Sequence, residues 1–172
     1  MFLNYLKDFS TKKIVKKSLS NVKHTATDKV IKTVGIIFDE SYFYEREELV
    51  AELIKNGIAE TDIRILVFKN KIKKNEAFDY PAFSHKDLSW RGTVDKKEVN
   101  DFIAEPFDLL INYYDTEKVA LLLVSHLSKA SFKVGFASID KRLNHFMINT
   151  NAENYKVFMD ELFKYLKILN KI

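Results

Sequence analysis

Short β-branched and apolar runs alternate along this chain with segments of helical periodicity. That alternation constrains the fold more than any other feature. "KTVGIIF" (32–38) reads as a buried strand. "YEREELVAELIKNGI" (44–58) reads as a helix with Leu49, Val50, Leu53 and Ile54 on one face and Gly57 as its stop signal. "TDIRILVFKN" (61–70) is the next strand, and strand–helix–strand at this length is a βαβ unit, normally parallel and right-handed.

The pattern resumes after an irregular stretch at 70–95, where a short strand near 82–85 and a turn at Gly92 are expected. "DKKEVNDFI" (95–103) predicts a helix ended by Pro106. "FDLLINYY" (107–114) predicts a strand, and "TEKVALLLVSHLSKA" (116–130) a helix apolar almost all round and therefore deeply buried. "SFKVGF" (131–136) and "HFMIN" (145–149) read as two more strands. Thr150-Asn151-Ala152-Glu153 has the form of a capping box. The last helix follows it, with Tyr155, Phe158, Met159, Leu162, Leu166 and Leu169 as its stripe. The expected fold is α/β: one doubly wound, mostly parallel, Rossmann-like sheet of five to six strands over residues 31–172, in the order 3-2-1-4-5-6.

Residues 1–30 stand apart as a basic helical arm. Residues 1–33 carry eight lysines and two aspartates, a net +6 within a total of +4, so the remainder is net −2. The basic character therefore belongs to the arm. At 100° per residue, Phe2, Tyr5, Leu6 and Phe9 share one face, while Ile14, Val15, Leu19 and Val22 share another, nearly opposite. One straight helix cannot point both stripes at one core, so a break near Ser10-Thr11 is expected. Lys12, Lys13, Lys16, Lys17 and Lys23 lie opposite the second stripe. They are the candidate contact to RNA, an acidic protein or an anionic membrane surface, and a solvated lysine face is the plainer alternative.

Composition excludes several chemistries. With no cysteine there is no disulfide framework, thiolate metal site or cysteine nucleophile, which fits a reducing compartment. Only Gly35, Gly57, Gly92 and Gly135 are present, none close to another, so neither GxGxxG nor GxxxxGK[ST] can be written. No serine stands in a GxSxG elbow, and His24, His85, His126 and His145 lack HxH or HxxxH spacing. Asn4, Lys7 and Asp8 interrupt any signal-like apolar run, and no stretch reaches bilayer-spanning length, so a cytoplasmic protein without a cofactor or metal is expected.

In an open α/β sheet, ligands bind outside the carboxyl ends of the strands. Three segments should meet there. Asp39, Glu40 and Ser41 follow the first strand. Asn112, Tyr113, Tyr114 and Asp115 end the central one. Ser138, Asp140, Lys141 and Arg142 follow the next. Asp39, Glu40 and Asp115 could supply an acid/base pair or a metal site, and His85, beside Asp87 and Trp90, is the one candidate catalytic histidine. The competing structural roles are a cap on the first helix for Asp39 or Ser41, and the N-cap of the following helix for Asp115. Tyr113 and Tyr114 alternate, so one should pack inward and one should cover a loop. Lys69, Lys71, Lys73 and Lys74, with Phe78, Tyr80 and Trp90, form a basic and aromatic mixture of the kind RNA-binding surfaces use.

Four blocks, "FSHKDLSWRG" (83–92), "PFDLLINYY" (106–114), "LVSHLSKASFKVGF" (123–136) and "YLKILNKI" (165–172), together resemble an uncharacterised bacterial family, domain of unknown function 6913, widespread in Flavobacteria and other Bacteroidota. The resemblance extends over nearly the whole chain, including the arm. It implies a single domain in a bacterial cytoplasm, and it supplies no activity and no catalytic residue. Two functions are expected on this basis. The first is a non-enzymatic binding module that docks through its arm. The alternative is a small enzyme acting on a phosphorylated or nucleotide-like substrate through Asp39, Asp115, Lys141 and Arg142.

Overall fold

A computed structural model of the chain describes residues 2–22, 28–41, 43–73 and 76–172, with side chains from Phe9 onward. In chain order the elements are α1 (Phe2–Leu19), β1 (Val34–Asp39), α2 (Arg46–Lys55), β2 (Ile63–Phe68), β3 (Ala82–Phe83), α3 (Lys97–Ala104), β4 (Leu109–Tyr113), α4 (Val119–Leu127), β5 (Phe132–Phe136), β6 (Phe146–Ile148) and α5 (Tyr155–Ile168). The six strands form one sheet in the order β3-β2-β1-β4-β5-β6, and every pairing is parallel. This is the doubly wound arrangement that the sequence predicts. Every residue of β1, β4 and β5 is buried, as strands covered on both faces require.

Right-handed crossovers place the helices in two layers. Leftward winding from β1 puts α2 on one face, where it contacts α5. Rightward winding from β4 puts α4 on the other face, against α3 and α1. Helix α2 ends as Gly57 predicts. That residue has φ +97°, its N–H donates to Ile54 O at 2.9 Å, and the N–H of the buried Ile58 reaches Leu53 O at 3.1 Å.

Gly35 in β1 meets a steric need. A Cβ built there would lie 2.7 Å from two atoms of the Phe107 ring, which is fully buried. Gly35→Ala is therefore expected to lower stability by about 1–3 kcal/mol through overpacking. Urea midpoints would show it, with part of the loss recovered in a Gly35→Ala/Phe107→Leu double variant. Equal midpoints for Gly35→Ala and wild type would rule out the tight contact.

Two local expectations are corrected. The N-terminal helix is continuous from Phe2 to Leu19, with no break at Ser10-Thr11. Thr11, Val15 and Leu19 repeat at helical spacing and are all buried, and α1 packs on α4. Of the second stripe, Val15 and Leu19 are docked while Ile14 and Val22 are exposed, and Phe9 of the first is 63% exposed. The capping box at Thr150 does not form, and α5 starts at Tyr155. The Ala152 N–H, which a cap at Thr150 would have to satisfy, donates instead to Asp115 Oδ2 at 2.9 Å. Leu169 falls just beyond the helix and is exposed.

Candidate functional site

The chain leaves β1 in one direction and β4 in the other, so the loops after these two strands diverge and open a crevice at the switch point. Asp39, the last residue of β1, is buried there. Its Oδ1 accepts the Ser41 N–H at 3.0 Å, and its Oδ2 pairs with Lys118 Nζ at 2.5 Å. Lys118 comes from the loop between β4 and α4. Its ammonium also donates to Ser41 Oγ at 3.0 Å and lies 4.9 Å from the centre of the Phe68 ring. One lysine thus spans the switch point and ties the two loops together.

Beside this pair, on the β2 side, lies a ladder of charges. Glu40 accepts from Lys69 Nζ at 3.0 Å and from Arg46 at 3.5 Å, and Lys69 also reaches Glu76 at 2.9 Å. The Glu76 bond, opposed by some desolvation and helped by Glu40, raises the Lys69 pKa. The Lys73 N–H and then Lys69 lower that of Glu76. Phe78 underlies Lys69 and Tyr80 underlies Arg46, each 4.6 Å from cation to ring centre. These residues line a cavity of about 140 Å³. An open shelf of about 340 Å³ adjoins it, lined by Glu40, Ser41, Tyr44, Lys69, Asn70 and Lys71.

On the β5 side the predicted residues are tied to other partners. Asp115 does not cap α4, whose N-cap is Lys118 with no side-chain bond. Asp115 instead accepts the Ala152 N–H, and its carbonyl accepts Ser138 Oγ at 2.7 Å, which fastens the β4 loop to its neighbours. Nor does Asp39 or Ser41 cap α2, which begins five residues later with Glu45 as its N-cap and no side-chain bond there. Asp140 grips Arg142 through Nε at 2.9 Å and Nη2 at 2.5 Å, and this pair holds the Asp140 carboxyl down at about 2. Arg142 Nη1 reaches on to Ser20 Oγ at 2.9 Å, just past α1. Lys141 is exposed.

Asn112, Tyr113 and Tyr114 lie beneath the crevice and do not line it. All three are buried. The Tyr113 hydroxyl donates to Ala152 O at 2.7 Å, so neither tyrosine covers a loop from outside. The Tyr114 hydroxyl meets Ser125 Oγ at 2.7 Å, Ser125 donates to Asn112 Oδ1 at 2.7 Å, and Asn112 Nδ2 donates to Asn144 Oδ1 at 2.7 Å. This network satisfies its polar atoms within the core except Asn144 Nδ2, which has no hydrogen-bond partner among the described residues. Burial pushes both phenols up, so they remain protonated. His85 stands edge-on to Phe68 with ring centres 5.0 Å apart, while Asp87 is turned to the Ser84 N–H at 2.7 Å.

Of the arm lysines, Lys12, Lys13 and Lys17 are exposed, Lys16 is partly covered and lies 4.0 Å from Glu117, and Lys23 is outside the described residues, as is Lys74. Among the described residues, no group of three or more His, Asp and Glu is placed to hold a metal ion, and no helix is long and apolar enough to cross a membrane.

A family model matches residues 7–169, nearly the full length. The chain belongs to the family of unknown function DUF6913. No curated protein and no solved structure matches it.

In this DUF6913 chain the two carboxylates expected to work as a pair are held by different loops. Asp39 serves Lys118 and Ser41, and Asp115 serves Ala152. The residues at the switch point that sequence reasoning passed over are Lys118, Arg46 and Glu76. Lys118 lies three positions past Asp115 in a polar loop, and only the approach of that loop to β1 sets it apart.

Proposed function

We propose that this DUF6913 protein is a non-enzymatic binding module of the bacterial cytoplasm that docks through α1 onto an anionic membrane surface. The carrying observation is the division of that helix. Thr11, Val15 and Leu19 are buried against the domain, while Phe9, Lys12, Lys13 and Lys17 are exposed. A helix held by one face and offering an aromatic ring with lysines on the rest suits side-on contact with lipid headgroups. Membrane is favoured over RNA because the exposed side chain among these lysines is the apolar ring of Phe9 and not a polar group that reads bases.

The alternative, an enzyme acting on a phosphorylated substrate, has less support, because Asp39, Asp115 and Arg142 each have separate protein partners. The open shelf beside Glu40 and Ser41, with Lys69 and Lys71, supports a small anionic ligand as an addition to the docking role.

Co-sedimentation with vesicles tests the reading. Full-length protein is expected to bind phosphatidylserine vesicles and to leave phosphatidylcholine vesicles, with binding falling steeply as salt rises. A Lys12→Glu/Lys13→Glu/Lys17→Glu variant is expected to bind about a hundredfold more weakly, at about 1 kcal/mol per lysine removed. Unchanged binding by the variant would overturn the proposal. So would salt-sensitive binding to single-stranded RNA without vesicle binding, which would make the partner a nucleic acid.

A further inference from the structure

The sheet has a second surface of opposite charge. Strand β3 is only two residues long, and Ala82 and Phe83 pair with Val67 and Phe68 at the end of β2. The rest of β2 runs on without a strand on that side among the described residues. Its polarity can be read from the bonds that do form. Val67 N–H donates to Pro81 O and Lys69 N–H to Phe83 O, each at 2.9 Å. In a strand, alternate residues direct their peptide groups to the same side, so Ile65 and Ile63 present theirs to the uncovered edge. Arg64 Nη1 occupies Ile63 O at 3.1 Å. Ile65 is the next open rung.

A groove of about 360 Å³ lies at this rung. Ile63, Ile65, Pro81 and Phe102 give it an apolar lining. Glu98, Asp101 and Glu105 of α3 and its C-cap border it, against Arg64 as the one cation. The spacing of the three carboxylates sets them along one side of the helix. Lys97 pairs with Asp101, and among the described residues Glu98 and Glu105 form no ion pair within 4 Å.

We infer that this groove binds a short extended peptide segment of a partner protein, carrying alternating apolar and Lys or Arg side chains, which adds to β2 below β3 as an extra strand. Backbone hydrogen bonds to Ile65 supply the pairing, the apolar lining takes the inward side chains, and Glu98 and Glu105 select basic residues on the outward side. Edge strands are usually shielded from such pairing, and here β3 shields only the top of β2.

The test uses the full chain and two fluorescent peptides, acetyl-(Lys-Val)3-amide and acetyl-(Glu-Val)3-amide, followed by anisotropy. The lysine peptide is expected to bind saturably below about 1 mM and the glutamate peptide at least about tenfold more weakly. A Glu98→Lys/Glu105→Lys variant, which changes only surface side chains, should weaken the lysine peptide by about tenfold. Ile65→Pro removes the open N–H at an edge position that tolerates proline, and should abolish binding. Met147→Pro, on the sheet's other edge strand β6, should leave it unchanged. Equal affinity for the two peptides, absence of saturation, or loss of binding in Met147→Pro instead of Ile65→Pro would each overturn the inference. So would self-association of the chain alone that vanishes in Ile65→Pro, since the groove would then belong to a second copy.

Discussion

Replacing Tyr113 with Ala is expected to lower the unfolding free energy by about 3–5 kcal/mol, the range for deleting a large buried aromatic side chain. The ring is fully buried at the end of β4, with ring centres of Phe43 at 4.5 Å, Phe136 and Phe158 at 5.1 Å and Phe38 at 5.6 Å. These four come from β1 and the loop after it, from β5 and from α5, so the ring joins one helical layer to three parts of the sheet. Its removal would also leave Ala152 O without its donor. Tyr113→Phe keeps the packing and gives up one hydrogen bond, so its loss should be about 1 kcal/mol. Urea midpoints for the two variants would separate packing from hydrogen bonding. If both fell by the same small amount, the ring would not be the keystone of this layer, and a role at the crevice surface would regain its case.

Much of the fold is legible in the sequence because its signals are local. Runs such as "GIIF" and "LLIN" are buried on both faces, and the helices between them show their stripes, so the order of elements and the right-handed winding follow. The site is less legible because it depends on where distant loops meet. Asp115 looks like a helix cap from its neighbours alone, yet its acceptor role is filled by Ala152, 37 residues further on. Tyr113 and Tyr114 alternate like an in–out pair, yet both hydroxyls find partners inside the core. The arm shows two incompatible stripes, and periodicity cannot say which one the domain will bury. Thr11, Val15 and Leu19 are buried on the helix that packs on α4, with Ser18 Oγ 2.7 Å from His126 Nε2 at the seam. Burial, reinforced by Lys133, lowers the His126 pKa, which keeps this seam neutral near pH 7.

A second large effect is expected where the chain enters β1. Asp108 is buried just ahead of β4. Its Oδ2 accepts the N–H groups of Lys32 at 2.9 Å and Thr33 at 3.0 Å and the Thr33 hydroxyl at 3.2 Å, and Lys29 pairs with its other oxygen. Nearby, the Ile31 N–H reaches Lys171 O at 2.8 Å. Residues 29–33, which lead into β1, are thus clamped between the start of β4 and Lys171. Burial alone would raise the Asp108 pKa, but Lys29, the two N–H groups and the Thr33 hydroxyl outweigh it and bring it down to about 2. A carboxyl whose folded pKa lies below its unfolded value stabilises the fold above the unfolded value, near 4, and loses that contribution as pH falls toward 2. The size is about 2 kcal/mol. Asp140 titrates in the same window, so the informative quantity is the difference between wild type and variant. Asp108→Ala strands two backbone donors and should lower stability by about 3 kcal/mol at pH 7. The gap should close to about 1 kcal/mol near pH 2, where wild type has lost the charge as well. Urea titrations at several pH values would measure this. A gap that stays constant from pH 7 to pH 2 would show that Asp108 acts by shape alone, and that the entry into β1 is not held by charge.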